Sequence, residues 1–171
     1  MEDILDRNLR GMTEAVRRNE ITSVDLVQGF LDRIEKVNSS LNAVVSINTE
    51  IALKLAAKAD SDLKEGIVHG PLHGIPMTIK DSLDTKDMVT TWGTKGRETF
   101  RPGRDATSVA RLRDAGAILL GKTNTPEFPL SFQTDNLVYG KTNNPYNLEM
   151  TPGGSSGGAA ERKTHAKDHL V

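Results

Sequence analysis

With 171 residues, 36% of them hydrophobic, the chain suits about one domain and is long enough to bury a core. Its 22 basic and 23 acidic residues give no electrostatic reason to expect a nucleic acid or an anionic membrane as partner, and the lack of cysteine excludes disulfides, a thiol nucleophile and cysteine-bearing zinc sites. No apolar run approaches the ~20 residues of a membrane-spanning helix, and the acidic, amphipathic start MEDILDRNLR does not read as a signal peptide, so a cytoplasmic protein is expected.

From the N-terminus, Leu5, Leu9, Met12 and Val16 recur at helical spacing and predict one helix over 3–18. Thr22-Ser23-Val24-Asp25 has the pattern of a capping box, with Asp where Glu or Gln is usual. Behind it Val27, Phe30, Leu31 and Ile34 form one apolar face. Ala43 to Ile47 is a short β-branched run that predicts a strand. Residues 49–65 read as a helix stopped at Gly66.

Beyond Gly66 the composition changes. Gly70-Pro71-Leu72-His73-Gly74-Ile75-Pro76 is punctuated by turn formers, and Ile75 to Ile79 is apolar enough for a buried strand that runs directly into Lys80-Asp81. A loop spans roughly 82–104. Residues 105–115 read as a helix stopped by Gly116, and Ala117 to Leu120 as a buried strand ending in Gly121-Lys122-Thr123-Asn124. From Thr125 to Gly158 the chain is mostly loop, a length that in a compact domain is commonly functional or disordered. The alternation predicts an α/β layer structure. A mixed sheet of strands 43–47, 75–80 and 117–121 is flanked by helices near 23–37, 49–65 and 105–115.

The run Thr151-Pro152-Gly153-Gly154-Ser155-Ser156-Gly157-Gly158 admits three readings from its residues. It has the composition of a flexible linker. Gly153 and Gly158 have the outer spacing of a phosphate loop, but Ala159-Ala160 stand where that loop needs Lys and Ser or Thr, and no strand feeds the run. The third reading is hydrolytic. A serine hydroxyl needs a base, a lysine can be that base when burial favours its neutral form, and glycines beside the serine allow close approach. Lys80, at the end of a predicted buried strand, has that character.

Several blocks together resemble the amidase signature family, serine hydrolases of carboxylic amides. Leu72 to Asp81 looks like the family's lysine block, and Thr90-Thr91-Trp92-Gly93-Thr94 resembles the segment after it. Asp105 to Phe128 resembles the next helix, strand and loop. Tyr139 to Asn147, leading to Thr151–Ala160, is similar to the first half of the signature itself. The resemblance covers roughly residues 5–160, so 1–160 is expected to be the N-terminal part of an amidase signature domain and 161–171 a divergent charged tail. It implies Lys80 as base, Ser155, held by a cis non-proline bond, as the serine that relays the proton, and Ser156, Gly153 and Gly154 as accessory residues. The long loop at 125–150 would position this segment. No metal or organic cofactor is implied, and the substrate of intact relatives is a small-molecule amide.

The same resemblance puts the acyl-forming serine and the oxyanion hole roughly two dozen residues beyond Ser155, in an Asp-x-Gly-Gly-Ser stretch. Here sixteen residues follow Ser155 and no second Gly-Gly-Ser occurs. The chain is therefore expected to be a fragment without amide turnover of its own. A non-catalytic truncated product, or an α/β module that binds a partner through an unpaired sheet edge, is the alternative, and self-association through such exposed edges is expected of a fragment; a glutaminase-type component of a tRNA-dependent amidotransferase is a third reading. His69 and His73 are expected in a turn, since Pro71 breaks a helix between them. His165 and His169 lack a third ligand partner. Trp92 is read either as packing over the core edge or as a pocket wall.

Overall fold

The computed structural model describes residues 2–160; the predicted tail, with His165 and His169, lies outside them. The elements in order are α1 (Glu2–Leu5), α2 (Leu9–Arg17), α3 (Ser23–Leu41), β1 (Val44–Ile47), α4 (Thr49–Lys64), β2 (Pro76–Lys80), a 3-10 turn (Lys95–Arg97), α5 (Thr107–Asp114), β3 (Ile118–Thr123) and α6 (Gly157–Ala160). The three strands form one sheet in the order β1-β3-β2. β1 runs antiparallel to β3, with Val44 opposite Thr123, Ser46 opposite Lys122, and an irregularity between Val44 and Ser46. The bonds from Ile118 N to Ile75 O and from Asp81 N to Thr123 O advance in the same sense along both chains, so β2 and β3 run parallel and the sheet is mixed. The α/β expectation holds.

The first predicted helix is two helices. Its periodicity continues through Leu9, but the Asn8 side chain accepts a hydrogen bond from Gly11 N at 2.9 Å and starts α2 afresh. A short polar side chain that caps a new turn competes with continuing the old one. Leu9 is accordingly exposed, while Leu5 and Val16 are buried.

The start of α3 follows its sequence signal. Asp25 N donates to Thr22 Oγ1, and that hydroxyl donates to the Asp25 carboxylate. The Asp60 carboxylate of α4 accepts from Ser23 N and Val24 N. Three of the N–H groups that a helix start leaves unpaired are thereby satisfied. Both α4 and α5 end in the same two-bond pattern around a left-handed glycine. Gly66 N bonds to Leu63 O and Ile67 N to Asp62 O; Gly116 N bonds to Arg113 O and Ala117 N to Leu112 O.

The chain divides into two compact units. One comprises the residues up to Glu35, Asn48–Met77 and Ala110–Leu120; the other comprises Lys36–Ile47, Thr78–Val109 and the residues from Gly121 onward. In the first, Leu5, Ala15, Val16, Ile21, Leu26 and Ile75 form a buried apolar cluster that Met12, Phe30 and Leu72 pack against. The second holds every residue of the candidate site.

Candidate active site

Lys80 and Asp81 are successive residues at the end of β2, and an extended chain sends successive side chains to opposite sides. Lys80 Nζ donates to Ser155 Oγ at 2.7 Å and to Ser156 Oγ at 3.1 Å. Burial lowers the Lys80 pKa from the ordinary lysine value by disfavouring the charged form. A lysine that gives up its proton more readily, within hydrogen-bond reach of a hydroxyl, can take that hydroxyl's proton.

The glycines around Ser155 are set by packing. A Cβ on Gly154 would stand 2.6 Å from Ser131 O. One on Gly157 would stand 2.4 Å from Thr134 Oγ1, and one on Gly158 2.6 Å from Asn124 N and 2.7 Å from Ala43 O. The run is thus a closely seated segment, which removes the flexible-linker reading. The Gly154–Ser155 peptide bond is cis. Thr125 Oγ1 donates to Ser155 O at 3.3 Å.

The long loop is tied down by buried amides. Asn136 Nδ2 donates to Asn124 Oδ1 and Thr125 O, each at 2.7 Å, and Asn136 Oδ1 accepts from Val138 N and Tyr139 N. Asn124 Nδ2 reaches Gly140 O and Thr142 Oγ1. Several of the loop's apolar side chains are left outside, with Leu130 86% and Phe132 90% exposed.

On the other side of β2's end lies a polar cluster that the sequence reading missed. Asp81 Oδ2 accepts from Thr91 N and Thr91 Oγ1. Lys122, on β3, donates to Leu83 O at 2.6 Å, Thr85 Oγ1 at 2.8 Å and Thr90 Oγ1 at 3.1 Å. Burial raises the Asp81 pKa, and the Thr91 hydrogen bond and the Lys122 charge oppose that rise. Burial also raises the Tyr139 pKa, helped by the negative charge of Asp81. A signal was present: Lys122 follows a strand of four apolar residues, and a buried lysine must find oxygen partners.

Comparison with known proteins agrees with this architecture. The profile of the Amidase family matches residues 25–161. The chain belongs to the amidase family. It is 41% identical over 149 residues to the A-subunit of glutamyl-tRNA(Gln) amidotransferase from Carboxydothermus hydrogenoformans, covering 87% of this chain and 31% of that protein. It is 45% identical over 147 residues to the corresponding protein of Desulfatibacillum aliphaticivorans, covering 86% of this chain and 30% of that one. Among solved structures, the peptide amidase of Stenotrophomonas maltophilia superposes with a TM-score of 0.83 at 38% identity, over 88% of this chain and 32% of that enzyme. A fatty acid amide hydrolase gives a TM-score of 0.87 at 28% identity, over 92% of this chain and 28% of that one. The chain thus spans about a third of the length of the relatives it matches.

Two further candidates are resolved within this amidase-family chain. His73 is buried, its Nδ1 accepts from His69 N and its Nε2 donates to Ala59 O, so both ring nitrogens are engaged in holding a turn. His69 Nε2 pairs with Asp62 Oδ2 at 2.6 Å. Trp92 helps line an open cavity of about 350 Å³ with Ser82, Asp84 and Arg104, which is the pocket-wall alternative. The Arg97 guanidinium lies 4.7 Å from the Trp92 ring centre and 3.9 Å from that of Phe100.

Proposed function

We propose that this chain carries the base and the relay serine of a carboxylic-amide hydrolase. The observation that carries the reading is the 2.7 Å hydrogen bond between Lys80 Nζ and Ser155 Oγ. Neutral Lys80 takes the Ser155 proton, and Ser155 takes the proton of an acyl-forming serine hydroxyl as that oxygen attacks the amide carbonyl. Ser156, also bonded to Lys80, the left-handed backbone at Gly153 and the close packing at Gly154 support the arrangement. On this reading the acyl-forming serine is supplied by a further part of the family domain, and amide turnover is expected where that part is present. Substrate is a small-molecule amide, and the setting is cytoplasmic.

The names of the curated relatives favour a second, narrower reading, in which the amide is that of glutamine and the chain's reaction serves an amidotransferase with partner proteins. One experiment tests both. Residues 1–160 are joined to the C-terminal portion of one of these amidotransferase relatives, and ammonia or amine release is measured with glutamine, primary amides and anilides. Release is expected from the joined protein and not from the 171-residue chain. Lys80→Ala and Ser155→Ala should each lower it by about 10²–10⁴, the range for losing general acid–base catalysis. Activity that survives Lys80→Ala, or turnover by the chain alone, overturns the reading. Preference for anilides over glutamine overturns the narrower one.

A further inference from the structure

Thr134, in the loop that the sequence left without internal assignments, is 1% exposed and carries one hydroxyl. That hydroxyl donates to Gly153 O at 2.8 Å and accepts from Gly157 N at 3.1 Å. The two bonded residues lie two positions before and two positions after Ser155. Thr134 O in turn accepts from Thr142 N, and Thr142 Oγ1 accepts from Asn124 Nδ2 and donates to Asn42 O. A continuous set of hydrogen bonds therefore runs from the end of β3, through Asn124 and Thr142, to both sides of Ser155.

We propose that Thr134 is a positioning residue for Ser155, clamping the backbone on both sides of it so that its hydroxyl stays against Lys80. The proposal rests on the reading of Ser155 as relay. The clamp needs one group that both donates and accepts, which a hydroxyl can do and a methyl or an ammonium cannot. It also needs a glycine at 157, because a Cβ there would meet the Thr134 hydroxyl at 2.4 Å. Valine at 134 has the shape of threonine but would face Gly153 O and Gly157 N with a methyl group, leaving both unpaired. Serine keeps the hydroxyl and both bonds.

The test uses the full 171-residue chain in solution, with nuclear magnetic resonance reading two quantities. One is the through-space contact between the Lys80 side-chain methylenes and the Ser155 β-protons. The other is hydrogen exchange at the Gly157 amide. Wild type and Thr134→Ser should show the contact and slow exchange. Thr134→Val should lose the contact and exchange about tenfold faster at Gly157, the effect of about one net hydrogen bond. An intact contact in Thr134→Val overturns the proposal. So does a Gly157 amide in the wild type that exchanges as fast as an unstructured chain, which decides the matter even where Thr134→Val fails to fold. Loss of the contact in a folded Thr134→Ser also counts against it. Failure of the relay reading is distinguishable, because it appears as hydrolysis indifferent to Lys80→Ala while contact and exchange remain as expected.

Discussion

Lys122 Nζ lies 3.9 Å from Asp81 Oδ1, and neither side chain has surface open to solvent. This pair sits directly behind the lysine that reaches Ser155, since Asp81 follows Lys80 in the chain. Lys122 satisfies its ammonium with Leu83 O, Thr85 and Thr90, and Asp81 receives Thr91. The pair thus joins the end of β3 to the loop that leaves β2.

Removing one charge of such a pair strands the other in a region of low dielectric. Lys122→Met keeps most of the volume and deletes the ammonium, removing its charge from beside Asp81 and its hydrogen bonds to Leu83 O, Thr85 Oγ1 and Thr90 Oγ1. The expected cost is about 3–5 kcal/mol. Urea unfolding of both proteins at neutral pH measures it, and a cost near zero would mean that the pair does not hold the two segments together.

Lys80 releases its proton more readily in the folded chain than in the unfolded one, because burial disfavours its charge. The unfolded chain then binds more protons than the native chain in the window below the ordinary lysine pKa, so stability rises with pH through that window. Lys80→Met should flatten this rise. Pulse labelling with an amine-reactive reagent across pH, read by mass spectrometry, should give a Lys80 midpoint below that of a lysine in a short unstructured peptide. Equal midpoints would remove the electrostatic basis for Lys80 as a base at moderate pH.

Gly158→Ala would place a Cβ 2.6 Å from Asn124 N and 2.7 Å from Ala43 O. Those atoms are backbone and already hydrogen-bonded to each other, so neither can give way locally. Overpacking of this kind costs about 1–3 kcal/mol. Gly103, which has no atom within 4 Å of its would-be Cβ, is the control. Gly103→Ala should stay within about 0.5 kcal/mol of the parent. Equal unfolding midpoints for the two variants would contradict the seated arrangement of the glycine run.

The sequence by itself determined the elements whose signals are local. Thr22 and Asp25 mark a helix start because the side chains that satisfy its N–H groups are neighbours in the chain, and Asp60 adds to them from α4. Gly66 and Gly116 mark helix ends because a left-handed residue is needed there whatever surrounds it. The apolar stretches around Ile79 and Ala117–Leu120 announced strands, and the resemblance of the blocks near Lys80 and Ser155 named the family. Leu9 misled, since periodicity does not register that Asn8 caps a new helix. Tertiary structure alone decided what meets across long separations. That Lys122 turns inward to Asp81 and that one hydroxyl at Thr134 spans both sides of Ser155 depend on strand direction and on where the long loop lies, as does the 2.7 Å approach of Lys80 to Ser155 that the resemblance only implied. Those contacts join residues 75, 41 and 19 to 23 positions apart, and no local preference of the chain encodes which distant partner a buried polar atom finds.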